Sequence, residues 1–154
     1  MTEFKRVFLD TAPIIYYLQR DEMYFEKMKT IFIELRKKKV ELVSSDVTIA
    51  EYCVFPYRTG NQKLVEDFDN FIQIAGVEII HSSEIIAKKS ASIRAQYPAF
   101  KTMDSLQLAF AVCSGCDLFL TNDKQLRQYA EIQCLLIDDL FLRLSESGFQ
   151  FKGV

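Results

Sequence analysis

The sequence predicts an α/β protein built on a parallel sheet covered on both faces. Two observations carry that reading. Five short apolar segments, Val7–Leu9, Val40–Val43, Val77–Ile80, Leu118–Leu120 and Cys134–Ile137, show no inside/outside alternation, and helical patterns separate them. A strand that is apolar on both sides has to be buried on both sides, which calls for parallel strands with helices above and below.

The elements follow in order. Val7-Phe8-Leu9 ends in Asp10, and Pro13 suits the first turn of a helix over Ile14–Leu18. Asp21–Lys39 places apolar residues at 25, 28, 31, 32 and 35 and closes on Arg36-Lys37-Lys38-Lys39, cations that favour the negative end of a helix dipole. After the second strand, Ser44 or Ser45 is placed to cap a helix over Val47–Val54 that carries Glu51 and that Pro56 is expected to stop. A helix over Asn61–Ala75 precedes the third strand, and one from about Ser83 to Gln96 ends before Pro98. Thr102 is expected to cap a helix over Met103–Ser114 that Gly115 terminates. The fourth strand leads into Thr121-Asn122-Asp123, a short turn begins at Lys124, and a helix from Asp138 to about Ser147 follows the last strand.

The 154 residues make one domain's worth of chain, 1–154, without linker or internal repeat. Hydrophobic residues at 49%, with only five glycines and three prolines, exclude a disordered or low-complexity chain. The net charge of −2 supplies no global field for nucleic acid or membrane, so any polyanion must be held locally. The richest apolar stretch, Leu106–Cys116, contains Gln107 and Ser114 and falls short of the roughly 18 residues that span a bilayer. Asp10 and Pro13 interrupt the one segment resembling a signal peptide, so the expected location is the cytoplasm. Cys53, Cys113, Cys116 and Cys134 lie in apolar segments and are expected to be buried reduced thiols.

In an open α/β sheet, ligands bind beyond the carboxyl ends of the strands, where strand order reverses. Asp10 directly follows one strand and has Thr11 beside it; Asp123 lies just past another. Glu51 interrupts an apolar helical pattern, and Asp104 sits in the first turn of the most apolar helix. Taken singly, each also reads as a cap, a dipole partner or a solvated charge. As a set they make a strong electrostatic demand, since two like charges about 4 Å apart cost roughly 4 kcal/mol at an effective dielectric near 20. Four converging carboxylates require raised pKa values or bound cations, and oxygen-only ligation favours Mg²⁺ or Mn²⁺ over Zn²⁺. Such a centre suits phosphodiester hydrolysis, because a metal acidifies the attacking water and offsets charge on phosphoryl oxygens.

Phe8-Leu9-Asp10-Thr11-Ala12-Pro13-Ile14-Ile15-Tyr16, Ser45–Glu51, Met103-Asp104-Ser105-Leu106 and Leu120-Thr121-Asn122-Asp123 together resemble the PIN-domain nucleases. The order of the acids and their separations of 41, 53 and 19 positions look like the family as well. Within it, the chain is most similar to the VapC-type toxins of toxin–antitoxin pairs, over nearly its full length. The resemblance implies a three-layer α/β/α sandwich with a central, mostly parallel five-stranded sheet, and a Mg²⁺ or Mn²⁺ site built from Asp10, Glu51, Asp104 and Asp123. Thr11 and Thr121 match hydroxyl positions that support the acids. It further implies cleavage of single-stranded or loop RNA by metal-activated water, a VapB-like antitoxin as inhibitor, and a homodimer. Some relatives carry a further acid one turn after the last, where this chain has Arg127, a departure that bears on a second metal site.

Other chemistries find little support. Cys113-Ser114-Gly115-Cys116 has redox spacing but ends a helix, whereas a reactive pair needs a helix N-terminus. Zinc would need more soft ligands than isolated cysteines and the sole histidine, His81, provide, and there is neither a phosphate-cradling glycine loop nor a nucleophile elbow. Arg58, Lys101 and Lys124 lie near the acids in sequence and are candidates for RNA phosphates; Tyr16, Tyr17 and Tyr57 are candidates for base stacking. The expected protein is therefore a metal-dependent endoribonuclease. The alternatives are a catalytically silent PIN-like module that binds RNA or protein, and a metal phosphohydrolase acting on small esters or DNA flaps.

Overall fold

The structure, a computed structural model, describes residues 4–150, with side chains described through Glu146; residues 1–3 and 151–154 of the expected domain lie outside the described residues. Five strands, β1 (Arg6–Leu9), β2 (Glu41–Ser45), β3 (Glu78–Ile80), β4 (Leu118–Thr121) and β5 (Gln133–Leu136), form one sheet in the order β3-β2-β1-β4-β5. Every pairing is parallel. Seven helices accompany them: α1 (Thr11–Leu18), α2 (Phe25–Lys37), α3 (Asp46–Thr59), α4 (Gln62–Ala75), α5 (Glu84–Gln96), α6 (Thr102–Cys113) and α7 (Ile137–Gln150). A 3-10 turn, Lys124–Gln128, links β4 to β5.

Two cores explain why the strands do not alternate. Val7, Leu9, Leu42, Leu118 and Leu120 point to one face, against Ile14, Met28, Ile31, Leu35 and Leu140 of the helices there. Phe8, Val43, Phe119 and Cys134 point to the other, against Ile86, Ile93, Leu108 and Phe110 of α5 and α6. Phe8 and Phe119 stack across β1 and β4 with ring centroids 5.3 Å apart. The result is the three-layer α/β/α arrangement.

Several boundaries differ from the sequence reading. The second helix starts at Phe25, not Asp21, because the Asp21 carboxylate accepts from the Met23 and Tyr24 amides and holds a turn there. Ser45 caps α3 by accepting from Thr48 N–H. Pro56 does not stop α3: the helix runs on to Thr59 and ends at Gly60, which adopts φ +63°. Proline removes a single ladder bond, here to the Tyr52 carbonyl, and the buried ring packs in place of it. Thr102 is not a cap but already helical, its hydroxyl accepting from Arg94 Nη1 at 3.0 Å, while Lys101 occupies the cap position without a side-chain bond. Among the cysteines, Cys53 and Cys134 are buried as expected, but Cys116 is only half-buried and Cys113 is exposed, because α6 leaves the core at its last turn.

The chain runs outward from β1 through β2 to β3, then crosses back to place β4 on the other side of β1. Strand order therefore reverses between β1 and β4, and the Asp10 amide donates to the Leu120 carbonyl at 3.0 Å to close that junction. Phe119, fully buried on β4 and stacked on Phe8 of the central strand β1, is part of this packing. Phe119→Ala is expected to destabilise the protein by about 3–5 kcal/mol in denaturant unfolding.

Candidate active site

Asp10 stands at the reversal point. As the N-cap of α1 its Oδ1 accepts from the Thr11 amide at 2.9 Å, and its Oδ2 accepts from the Thr121 hydroxyl at 2.8 Å. The carboxylate thus ties the end of β1 to the end of β4. Burial outweighs those two donors, and with Asp104 and Glu51 nearby the Asp10 pKa is pushed up to about 6.

The other three acids arrive from separate segments. Glu51 lies in the second turn of α3, exposed, with Oε1 accepting from the Thr11 hydroxyl at 2.7 Å. Asp104 is in the first turn of α6, where burial raises its pKa; Asp123 and Glu51 push it the same way and Lys101 opposes them. Asp123 caps the 3-10 turn: Oδ1 accepts from the Gln125 amide at 2.9 Å, and its own N–H donates to the Thr121 hydroxyl at 3.1 Å. Asp10 thus feels Asp104 and Glu51, and Asp104 feels Asp123 and Glu51, so the four share one electrostatic neighbourhood. Among the described residues, however, no three acidic, histidine or cysteine side chains stand grouped closely enough to hold an ion as they are. Each carboxylate other than Asp104 instead takes a donor from the protein.

The donor set is carboxylate oxygen throughout, which fits a hard divalent cation such as Mg²⁺ or Mn²⁺ and suits zinc poorly. His81 is not part of it: it is exposed at the end of β3, with Nδ1 3.8 Å from the Asp46 carboxylate. Thr11 and Thr121, the hydroxyls that the resemblance implies beside the acids, donate to Glu51 and to Asp10 respectively. Of the candidate cations, Lys101 reaches Asp104 electrostatically, whereas Arg58 in the last turn of α3 and Lys124 directly after Asp123 are exposed. Arg127 faces the Asp139 carboxylate at 3.6 Å. Tyr17 packs against Phe25, Phe32 and Phe71, and Tyr16 stacks on Tyr24, so Tyr57, 68% exposed, is the one of the three candidate tyrosines with a free face.

Beneath the acids lies a polar layer absent from the sequence reading. Ser45, Thr48 and Gln107 are buried, and the Gln107 amide donates to the Thr48 hydroxyl at 2.7 Å while accepting from the Ser45 hydroxyl. The available signal was an uncharged polar residue inside each apolar run, Thr48 between Val47 and Ile49 and Gln107 between Leu106 and Leu108.

The raised Asp10 pKa has a definite sign for stability. The folded state holds this proton more tightly than the unfolded chain, so the group favours folding below about pH 4 and that contribution is lost as pH rises through about 6. In chelator, the group is expected to cost about 3 kcal/mol by about pH 7, so Asp10→Asn should melt higher than the parent protein there. Differential scanning fluorimetry checks this, and a lower melting temperature for Asp10→Asn would show that the carboxylate is not destabilised.

The PIN-domain family model matches residues 7–132. No curated protein matches the chain significantly. Among solved structures, VapBC2 from Rickettsia felis, bound to a DNA fragment from its promoter, is similar with a TM-score of 0.67 at 14% identity, covering 85% of this chain and 98% of that one. A toxin–antitoxin complex from Klebsiella pneumoniae gives 0.62 at 19% identity, covering 85% and 97%. VapC20 from Mycobacterium tuberculosis, a toxin that cleaves the sarcin–ricin loop, gives 0.59 at 15% identity, covering 82% and 98%. These likenesses establish the fold, and with a family match over most of its length the chain belongs to the PIN-domain family, a family of nucleases.

Proposed function

We propose that the protein is a Mg²⁺- or Mn²⁺-dependent endoribonuclease, acting as the VapC-like toxin of a toxin–antitoxin pair on single-stranded or loop RNA. The observation that carries this reading is the arrangement of acids at the strand-order reversal, where Thr11 donates to both Asp10 and Glu51, the Thr121 hydroxyl joins Asp10 to Asp123, and Asp104 stands in the first turn of α6. A cluster of that sign repels RNA unless cations neutralise it. Asp10 and Asp104, with Glu51 and Asp123 beside them, would hold the metal, which lowers the pKa of a bound water and offsets phosphoryl charge.

The chain's own residues then have distinct tasks. Thr121 and the Thr11 amide hold the Asp10 carboxylate in one orientation, and the Thr11 hydroxyl does the same for Glu51. Lys101, Arg58 and Lys124 bind flanking phosphates and confer salt dependence. Attack of water on phosphorus breaks the bond to the 3′ oxygen, which takes up a proton, leaving a 3′-hydroxyl and a 5′-phosphate. The resemblance further supports a VapB-like antitoxin partner, a homodimer and a cytoplasmic location; among the described residues no helix is long and apolar enough to cross a membrane. A groove of about 740 Å³, lined by Phe25, Phe32 and Phe71 together with Arg20, Lys29 and Arg36, offers apolar and basic surface to an acidic amphipathic segment of such a partner.

Calorimetry with Mn²⁺ followed by cleavage of single-stranded RNA tests the reading. The parent protein is expected to bind Mn²⁺ and cleave, and Asp10→Asn and Asp104→Asn to stay folded but lose activity by roughly 1,000-fold or more, corresponding to several kcal/mol of lost charge stabilisation. Full activity in either variant would overturn the site assignment. Mn²⁺ binding without turnover by the parent would leave a silent RNA- or protein-binding module.

A further inference from the structure

We propose that Gln107 is a positioning residue of the acidic site: its side-chain amide directs the Thr11 hydroxyl and so holds Asp10 and Glu51 in the arrangement that receives a divalent cation. The identity of that cation rests on the nuclease reading; the positioning geometry rests on this chain's side chains.

Gln107 is 1% exposed in a helix otherwise packed with Leu108, Ala109, Phe110 and Ala111. A buried amide is costly unless its donors and acceptor are all engaged. It lies three residues after Asp104, so one face of α6 presents the acid to the site and, a turn deeper, the amide beneath it. Its Oε1 accepts from the Ser45 hydroxyl, which anchors the carboxamide to the end of β2. Its Nε2 donates to the Thr48 hydroxyl at 2.7 Å and faces the Thr11 hydroxyl at 3.4 Å and Asp10 Oδ1 at 3.5 Å. A carboxylate only accepts, so nitrogen is the amide atom that belongs on the Asp10 side.

The direction of the hydrogens follows. An amide nitrogen donates and does not accept, so the Thr11 hydroxyl turns its hydrogen away from Gln107, and of the two acceptors left Glu51 Oε1 at 2.7 Å is far nearer than the Thr48 hydroxyl at 3.4 Å. Ser45 donates to the amide oxygen while its own oxygen accepts from the Thr48 amide, coupling the cap of α3 to the same network. One glutamine therefore joins the end of β2, the start of α1, the start of α3 and the acid-bearing face of α6. Removing it frees the Thr11 and Thr48 hydroxyls to rotate and leaves Asp10 and Glu51 without a common brace.

Gln107→Met keeps the side-chain length and removes the donors; Thr48→Val keeps the shape of that side chain and removes the nearest acceptor of Gln107 Nε2. With Mn²⁺ as the probe, calorimetry on folded Gln107→Met is expected to show roughly a ten- to hundredfold weaker Kd than the parent, as for other residues that orient metal ligands. Thr48→Val should shift in the same direction. On single-stranded RNA, kcat should fall while KM changes little, and excess Mn²⁺ should restore kcat. A role confined to packing would lower Tm yet leave the Mn²⁺ Kd of the folded protein at the parent value. An unchanged Kd in both folded variants overturns the proposal; if Gln107→Met does not fold, the Kd of Thr48→Val decides alone. A parent that binds Mn²⁺ without cleaving RNA overturns the nuclease reading while the affinities still judge Gln107, and a parent that binds no Mn²⁺ overturns both.

Discussion

A half-buried carboxylate at the meeting point of two parallel strands is the constraint around which this protein is arranged. Asp10 sits where β1 ends, with the N-terminus of α1 and the Thr121 hydroxyl as its donors. A helix N-terminus and a hydroxyl stabilise a negative charge, but burial and two neighbouring acids act against them and win. The imbalance is local and of one sign, so it is relieved by protonation or by a cation. Alternating hydrophobic residues could not create it, and the cores on either side of the sheet serve to hold it in place.

The sheet order explains how acids far apart in sequence come together. With β1 flanked by β2 on one side and β4 on the other, the segments following all three strands open onto the same edge. Asp10 follows β1 at once, Glu51 comes one turn into the helix after β2, and Asp123 lies two residues after β4. Asp104 reaches the same place differently, from the front of α6, a helix that packs on the sheet through Leu108 and Phe110 and aims its N-terminus at the strand ends. Between these acids and the apolar core lies the layer formed by Ser45, Thr48, Thr11, Thr121 and Gln107, buried but hydrogen-bonded. That layer converts a greasy sheet edge into one that can orient carboxylates without exposing the core to water.

Much was legible in the residues. Strands that must bury both faces are written as uninterrupted apolar runs, and their parallel pairing follows because helical segments separate them. The four acids stood out because each breaks an apolar pattern or ends one, and Thr11 because it adjoins Asp10, whereas Thr121 came only from the resemblance to the family. Local signals misled where a tertiary contact outweighed them. Pro56 reads as a stop, yet buried packing carries α3 past it to Gly60. Thr102 reads as a cap, yet its hydroxyl serves Arg94 of the neighbouring α5.

By itself the sequence determined the class of fold and the position of nearly every element, and it singled out the four acids as candidates, because burial on two faces and charge inside apolar runs are properties of residue type and spacing. Only the tertiary structure decided which acid is buried enough to hold its proton to about pH 6, and that Gln107, Thr48 and Ser45 lie beneath the acids. Desolvation and hydrogen-bond direction depend on what stands within a few ångströms in space, and those neighbours come from strands and helices that the chain brings together only when it folds.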